Sequence, residues 1–156
     1  MIVITAAAGI TIVILAAGGL LTEIGPWYRG LRKPSWQPPD WLFGPAWTVI
    51  LGCAGWAGVL AWQAGDVAGH HRVAVLFAAN AFFHVFWSPL FFKWKRPDWA
   101  LIEVVFLWLS VAALVVGLFP LSHLASGLMM PYLAWVSFAA YLNLTIVRLN
   151  GPFGRV

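Results

Sequence analysis

The chain has 156 residues, 62% of them apolar and 16% aromatic but only 9% charged, where ordinary soluble domains carry roughly 25% charge. That shortage excludes a typical soluble domain, the apolar content excludes disorder, and the single cysteine, Cys53, excludes a disulfide scaffold. Nine Lys and Arg against five Asp and Glu leave a net charge of +4, whose meaning depends on where along the chain the excess sits.

Five stretches are long enough to cross the roughly 30 Å hydrocarbon core of a bilayer as helices. They run at about 2–22, 41–65, 73–92, 99–122 and 124–147. Strands would leave edge amides unpaired in lipid, and the two-residue alternation of a membrane barrel is absent. The predicted fold is therefore all-α, a bundle of five transmembrane helices in one domain spanning 1–156. The first stretch has no Lys or Arg before Arg29 and is too long for the apolar core of a signal peptide, so it reads as a retained helix.

The basic residues then fall on one side. Arg29, Arg32, Lys33, Lys93, Lys95, Arg96, Arg148 and Arg155 belong to the first connection, the third connection and the tail, and only Arg72 lies opposite. This asymmetry predicts a cytoplasmic C-terminus and an N-terminus outside. The positive charge serves orientation and anionic headgroups, and no nucleic-acid partner is expected.

The first connection, Glu23 to Asp40, is long and carries Pro26, Pro34, Pro38 and Pro39 among Trp27, Tyr28 and Trp36. Proline density disfavours a continuous helix, while the aromatics disfavour disorder. The segment is expected to fold back over one end of the bundle. Residues 66–72, including His70 and His71, read as a short solvated connection.

The second span opens with Trp41 at its border, where an interfacial belt accounts for it, as it does for Trp99. Trp47 lies more than a turn deeper, and the belt accounts for it less well. Gly52, Gly55 and Gly58 give this helix a smooth packing face. In the third span Asn80, His84 and Trp87 share one helical face. Polar groups there must turn inward, so two readings stand: Asn80 and His84 join two helices, or they line a pocket. His84 as an axial haem ligand is a third, weaker reading. Ala74 and Ala78 form a small-residue pair compatible with a homodimer seam.

Glu103 is the only charge inside a span and is expected to reach back toward Lys95 or Arg96. In the fifth span Trp135, Ala139 and Asn143 form a stripe, about a turn beyond Pro131, which should kink the helix. The stripe is either a groove for a flat molecule or a close helix crossing at Ala139. No catalytic triad, carboxylate pair, metal-ligand cluster or phosphate loop is present, so no catalytic or metal residue is assigned. Aromatic rings with a few polar groups inside a membrane bundle are what a planar hydrophobic ligand requires.

The chain resembles the TspO/MBR family, the tryptophan-rich sensory proteins and the translocator or peripheral-type benzodiazepine receptor proteins. The resemblance rests on Trp27-Tyr28, on the run from Lys33 to Pro39, on Pro45-Ala46-Trp47-Thr48 and on the run from Trp87 to Phe92. It continues through Pro131 to Trp135, Leu142-Asn143 and Arg148-Leu149-Asn150. It implies a receptor, sensor or transporter in a membrane, expected to be bacterial, often paired as a homodimer. Its first loop would cap a pocket for tetrapyrroles (porphyrin or haem, as ligand and not as obligatory cofactor) and for synthetic isoquinoline or benzodiazepine-type ligands.

The pocket positions carried over are Tyr28, Pro38, Trp47, Asn80, His84, Trp87, Trp135, Ala139 and Leu142, beside Asn143 from the stripe. Arg29, Arg32 or Lys33 would meet propionates. The alternative implied by the resemblance is light- and oxygen-dependent porphyrin degradation, with Trp47 and Trp135 as redox partners. Two departures are specific to this chain. His84 stands where the family carries Asn. The sterol pattern fails, because Leu144 takes the place of its central Tyr and Tyr141 to Arg148 is one residue too wide, so no sterol site is expected from it.

Overall fold

Lipid offers the backbone no hydrogen-bond partners, so a chain of this composition must satisfy its amides within helices. The computed structural model describes residues 1–154, and Arg155 lies outside the described residues. The order is α1 (Ile2–Leu21), α2 (Pro26–Gly30), α3 (Asp40–Ala64), α4 (Val67–Ser88), a π-helical turn (Pro89–Lys93), α5 (Pro97–Leu118), α6 (His123–Leu128) and α7 (Met130–Asn150). No strand occurs among the described residues. Five segments are long and apolar enough to span a bilayer: Ile2–Leu21, Asp40–Ala64, Val67–Lys93, Pro97–Leu118 and His123–Asn150.

Three boundaries differ from expectation, each for a local reason. The third span starts at Val67 and not at 73, because Asp66 caps it, its carboxylate accepting from the Gly69 N–H at 2.8 Å. His70 is consequently not a solvated loop residue. It stacks on Trp62 with ring centroids 4.3 Å apart, and its Nε2 lies 2.9 Å from the Trp62 carbonyl. The fifth span is broken and not merely kinked. Ser122 caps α6 through the Ala125 N–H, and Pro131 sits in the first turn of α7, where its missing N–H costs nothing. The third span also closes with a π turn, in which the Trp94 N–H reaches the Pro89 carbonyl at 2.9 Å.

α5 packs between α4 and α7. Ala100, Glu103, Val104, Leu107, Val111, Leu114 and Leu118 repeat at three- and four-residue spacing and are all buried. The same core takes in Ile50, Leu51, Ala54, Ala57 and Ala61 of α3 and Tyr132 and Val136 of α7. Glu103 shares that inner face, so it cannot turn outward to the loop. Neither carboxylate oxygen has a partner among the described residues, and Arg96 pairs instead with Asp98, its Nε donating at 2.8 Å. The expected reach of Glu103 to Arg96 is thus not made.

α1 has no fully buried residue and packs along α3, touching α4 and its π turn as well. Small residues let the two backbones approach, since packing and not water exclusion joins helices in lipid. A Cβ on Gly55 would stand 2.6 Å from Thr11 Oγ1 and 4.0 Å from the Ala7 carbonyl, whereas one on Gly52 would meet nothing within 4 Å. Gly55→Val is expected to lower stability by about 1–3 kcal/mol through overpacking, with Gly52→Val within roughly 0.5 kcal/mol of the parent. Thermal unfolding of both variants in the same detergent checks this.

Candidate functional site

The first turns of α3 are irregular. Pro45 has no N–H to give the Trp41 carbonyl, which loosens the helix just before Trp47. Trp47 then meets three rings edge-on. Its indole lies 4.7 Å from His84, 5.8 Å from Tyr132 and 6.2 Å from Trp135 between ring centroids, at interplanar angles of 79°, 90° and 83°. His84 Nδ1 and the Tyr132 hydroxyl share a hydrogen bond at 2.9 Å, tying α4 to α7. Trp135 continues the cluster to Phe43 at 5.7 Å and Phe138 at 5.5 Å.

Below these rings the π turn widens α4 and carries Leu90, Phe91 and Phe92 inward, all buried. Trp87 stacks on Phe91 at 5.0 Å. The rings enclose a void of about 560 Å³, within the range of roughly 300–1,000 Å³ common for small-molecule sites. Its walls come from α1, α3, the end of α4 with its π turn, α5 and α7, and Ile24, Tyr28 and Asp40 reach it from the first loop.

That loop is fastened at two places. The Tyr28 hydroxyl donates to Asp40 Oδ1 at 3.0 Å, and Gln37 Nε2 donates to both, at 3.2 Å and 3.3 Å. Lys33 Nζ sits 3.6 Å from the centroid of the Tyr28 ring. Burial, then the Asp40 carboxylate, push the Tyr28 hydroxyl up to about 12. At the second place the Asn150 side chain accepts from the Arg32 N–H at 2.7 Å and donates to the Arg32 carbonyl at 2.8 Å. Trp36 lies flat on Tyr141 at 5.3 Å.

Of the predicted residues, Tyr28, Trp47, His84, Trp87, Trp135, Ala139, Leu142 and Asn143 line the void. Pro38 and Asn80 do not. Asn80 is one turn, about 6 Å, beyond the bond between His84 and Tyr132. There it is buried and donates to Ser110 Oγ at 3.0 Å, so at Asn80 the helix-joining reading holds. Asn143 does both jobs. It lines the void, and with its amide turned to suit both partners it donates to the Pro97 carbonyl and accepts from the Leu101 N–H, each at 3.1 Å.

Sequence reasoning missed the α1 wall, where Ile14, Leu15, Gly18, Gly19 and Thr22 take part, and missed Phe43 and Asp40. The adjacent Gly18 and Gly19 near the end of a helix were the one available signal. The indole N–H groups of Trp87 and Trp135 are buried without an acceptor among the described residues. No group of three or more metal-ligating side chains occurs there either. The site can hold a flat apolar body and offer it ring faces, ring edges and hydrogen-bond donors.

Comparison with known proteins gives the same outline. The family model described as TspO/MBR family matches residues 2–149. The chain is 41% identical to the tryptophan-rich protein TspO of Chlorobaculum tepidum over 80% of its own length and 79% of that protein. It is 38% identical to the translocator protein of Sus scrofa, over 80% and 75% of the two chains. It is 37% identical to the tryptophan-rich sensory protein of Cereibacter sphaeroides, over 86% and 84%.

The loop fastening has a pH signature. A hydroxyl whose folded value lies above its ordinary 10 stabilises the closed loop fully below pH 10 and loses that contribution as pH rises toward 12. Tryptophan emission from Trp27 and Trp36 should therefore shift between pH 10 and 12 in the parent protein. In Tyr28→Phe, which lacks the titrating group and its hydrogen bond of about 1 kcal/mol, that shift should be absent.

Proposed function

The chain belongs to the TspO/MBR family, and from that premise we propose that it is a membrane receptor or sensor for tetrapyrroles, porphyrin or haem, held in the aromatic cavity. Synthetic isoquinoline or benzodiazepine-type ligands would occupy the same space. The observation that carries the reading is the contact of Trp47 with Trp135 at 6.2 Å on the wall of a void of this size. Indole faces and edges attract a flat conjugated ring, and aromatic pairs contribute about 0.5–1.5 kcal/mol beyond burial.

The unpaired N–H groups of Trp87 and Trp135 add hydrogen-bond donors that a ligand with carbonyl or carboxylate acceptors would satisfy. Arg29 and Arg32, exposed on the loop that reaches the cavity, suit propionates. Lys33 suits them less, because it is engaged on the Tyr28 ring. His84 lines the void with Nδ1 committed to Tyr132, which leaves Nε2 as the nitrogen for a bound haem iron. In this reading the basic end faces the cytoplasm and two copies pair through α4, where Ala74 and Ala78 are exposed.

Titration of protoporphyrin IX into purified protein should quench tryptophan fluorescence saturably. Trp47→Phe should weaken binding by about 2–10-fold, the equivalent of one lost aromatic contact, and Ala139→Thr should weaken it by crowding the wall with two further heavy atoms. Equal quenching curves for parent and both variants would remove the cavity as the site.

Light-dependent porphyrin degradation is the second reading, favoured by the same contact between two oxidisable indoles. Under illumination in oxygen, the Soret band should then decay more slowly with Trp47→Phe and Trp135→Phe than with the parent. Identical decay would leave binding alone.

A further inference from the structure

The geometry points to a lateral portal between α1 and α3 through which a flat, bilayer-dissolved ligand reaches the cavity edge-on. This rests on the proposed tetrapyrrole reading for its ligand, though not for its geometry.

Three observations meet at that seam. First, the wall of the void is buried or half-buried except at Gly19, Ile24, Trp41, Gly44 and Thr48. All five belong to the end of α1, the residues just after it and the opening turns of α3. A residue that both lines a void and is exposed marks where the void opens. Second, α1 and α3 run antiparallel, with Thr11 against Gly55. The same register places Gly18 opposite Thr48 and Thr22 opposite Gly44. At Gly55 the Thr11 side chain fills the seam, whereas a Cβ on Gly18, Gly19 or Gly44 would meet nothing within 4 Å. Toward the loop the two helices face each other with glycine on both sides, and no side chain fills the seam beside the void.

Third, the other route is fastened. The loop over the helix ends is held by Tyr28, Gln37 and Asp40 on one side and by Asn150 on the other, so access from water would require breaking several hydrogen bonds. The lateral slot requires none. It runs about 12 Å along α3 from Asp40 to Thr48, at 1.5 Å per residue, deep enough to face acyl chains. Its rim is glycine, threonine, isoleucine and the Trp41 indole, with the Asp40 carboxylate at the loop end.

The test uses the full chain in phosphatidylcholine nanodiscs with protoporphyrin IX as probe and stopped-flow tryptophan quenching as readout. Gly19→Phe and Gly44→Phe should slow association and dissociation together by about tenfold and leave Kd within about threefold, because a rim residue changes the barrier and not the bound state. Gly9→Phe, on the exposed face of α1 away from the void and with nothing within 4 Å of its Cβ, should leave all three unchanged. Unchanged rates in both rim variants, or a raised Kd with unchanged association, would overturn the portal and leave the ligand reading standing.

A second measurement needs no tetrapyrrole. In a Cys53→Ser background, Ala139→Cys on the far wall should react with an N-alkyl maleimide dissolved in the bilayer. Adding Gly44→Phe should slow that reaction by about tenfold, and adding Gly9→Phe should not. Equal labelling in all three overturns the portal, whereas absence of porphyrin binding with labelling as expected overturns only the ligand.

Discussion

Edge-to-face contacts hold aromatic rings apart as much as they hold them together, and Trp47 makes three of them. A ring presented edge-on to its neighbours cannot slide flat and fill the space beside it. In water the hydrophobic effect would drive such a void to collapse or fill. In lipid that drive is missing between helices, because the outside is as apolar as the inside. The cavity is thus sustained by directional contacts among four side chains, with the bond between His84 and Tyr132 closing its roof.

The backbone supports this arrangement by departing from regular helix where the cavity needs room. Pro45 loosens α3 just before Trp47, the π turn widens the end of α4 beside Trp87 and Phe91, and the fifth span breaks at Met129 before Tyr132 and Trp135. Each irregularity involves a proline, and each lies within a few residues of a ring on the cavity wall. Away from the cavity the helices are regular, packed through Ala54, Ala57 and Ala61 of α3 and the aliphatic stripe of α5.

Much of this was legible in the sequence, because membrane constraints are severe. The charge-free lengths gave five spans, helical spacing set His84 with Trp87 on one stripe and Trp135 with Asn143 on another, and the family resemblance added Trp47. Three things were not legible. Asn80 has the same spacing and polarity as His84, and only the height of the cavity roof separates their roles. Glu103 looked like an acid reaching for a nearby cation, but the helical face it occupies turns it into the core while Asp98 takes Arg96. The α1 wall escaped notice because a uniformly apolar helix shows no periodicity that distinguishes a cavity face from a lipid face.

Asn150 holds the backbone of Arg32 on both its N–H and its carbonyl, so one side chain imitates the pairing of a neighbouring strand across 118 residues. The cap and the last helix are therefore one mechanical body. A tilt of α7, whether from a change in bilayer thickness or from a partner grasping its C-terminal end, would drag the cap with it.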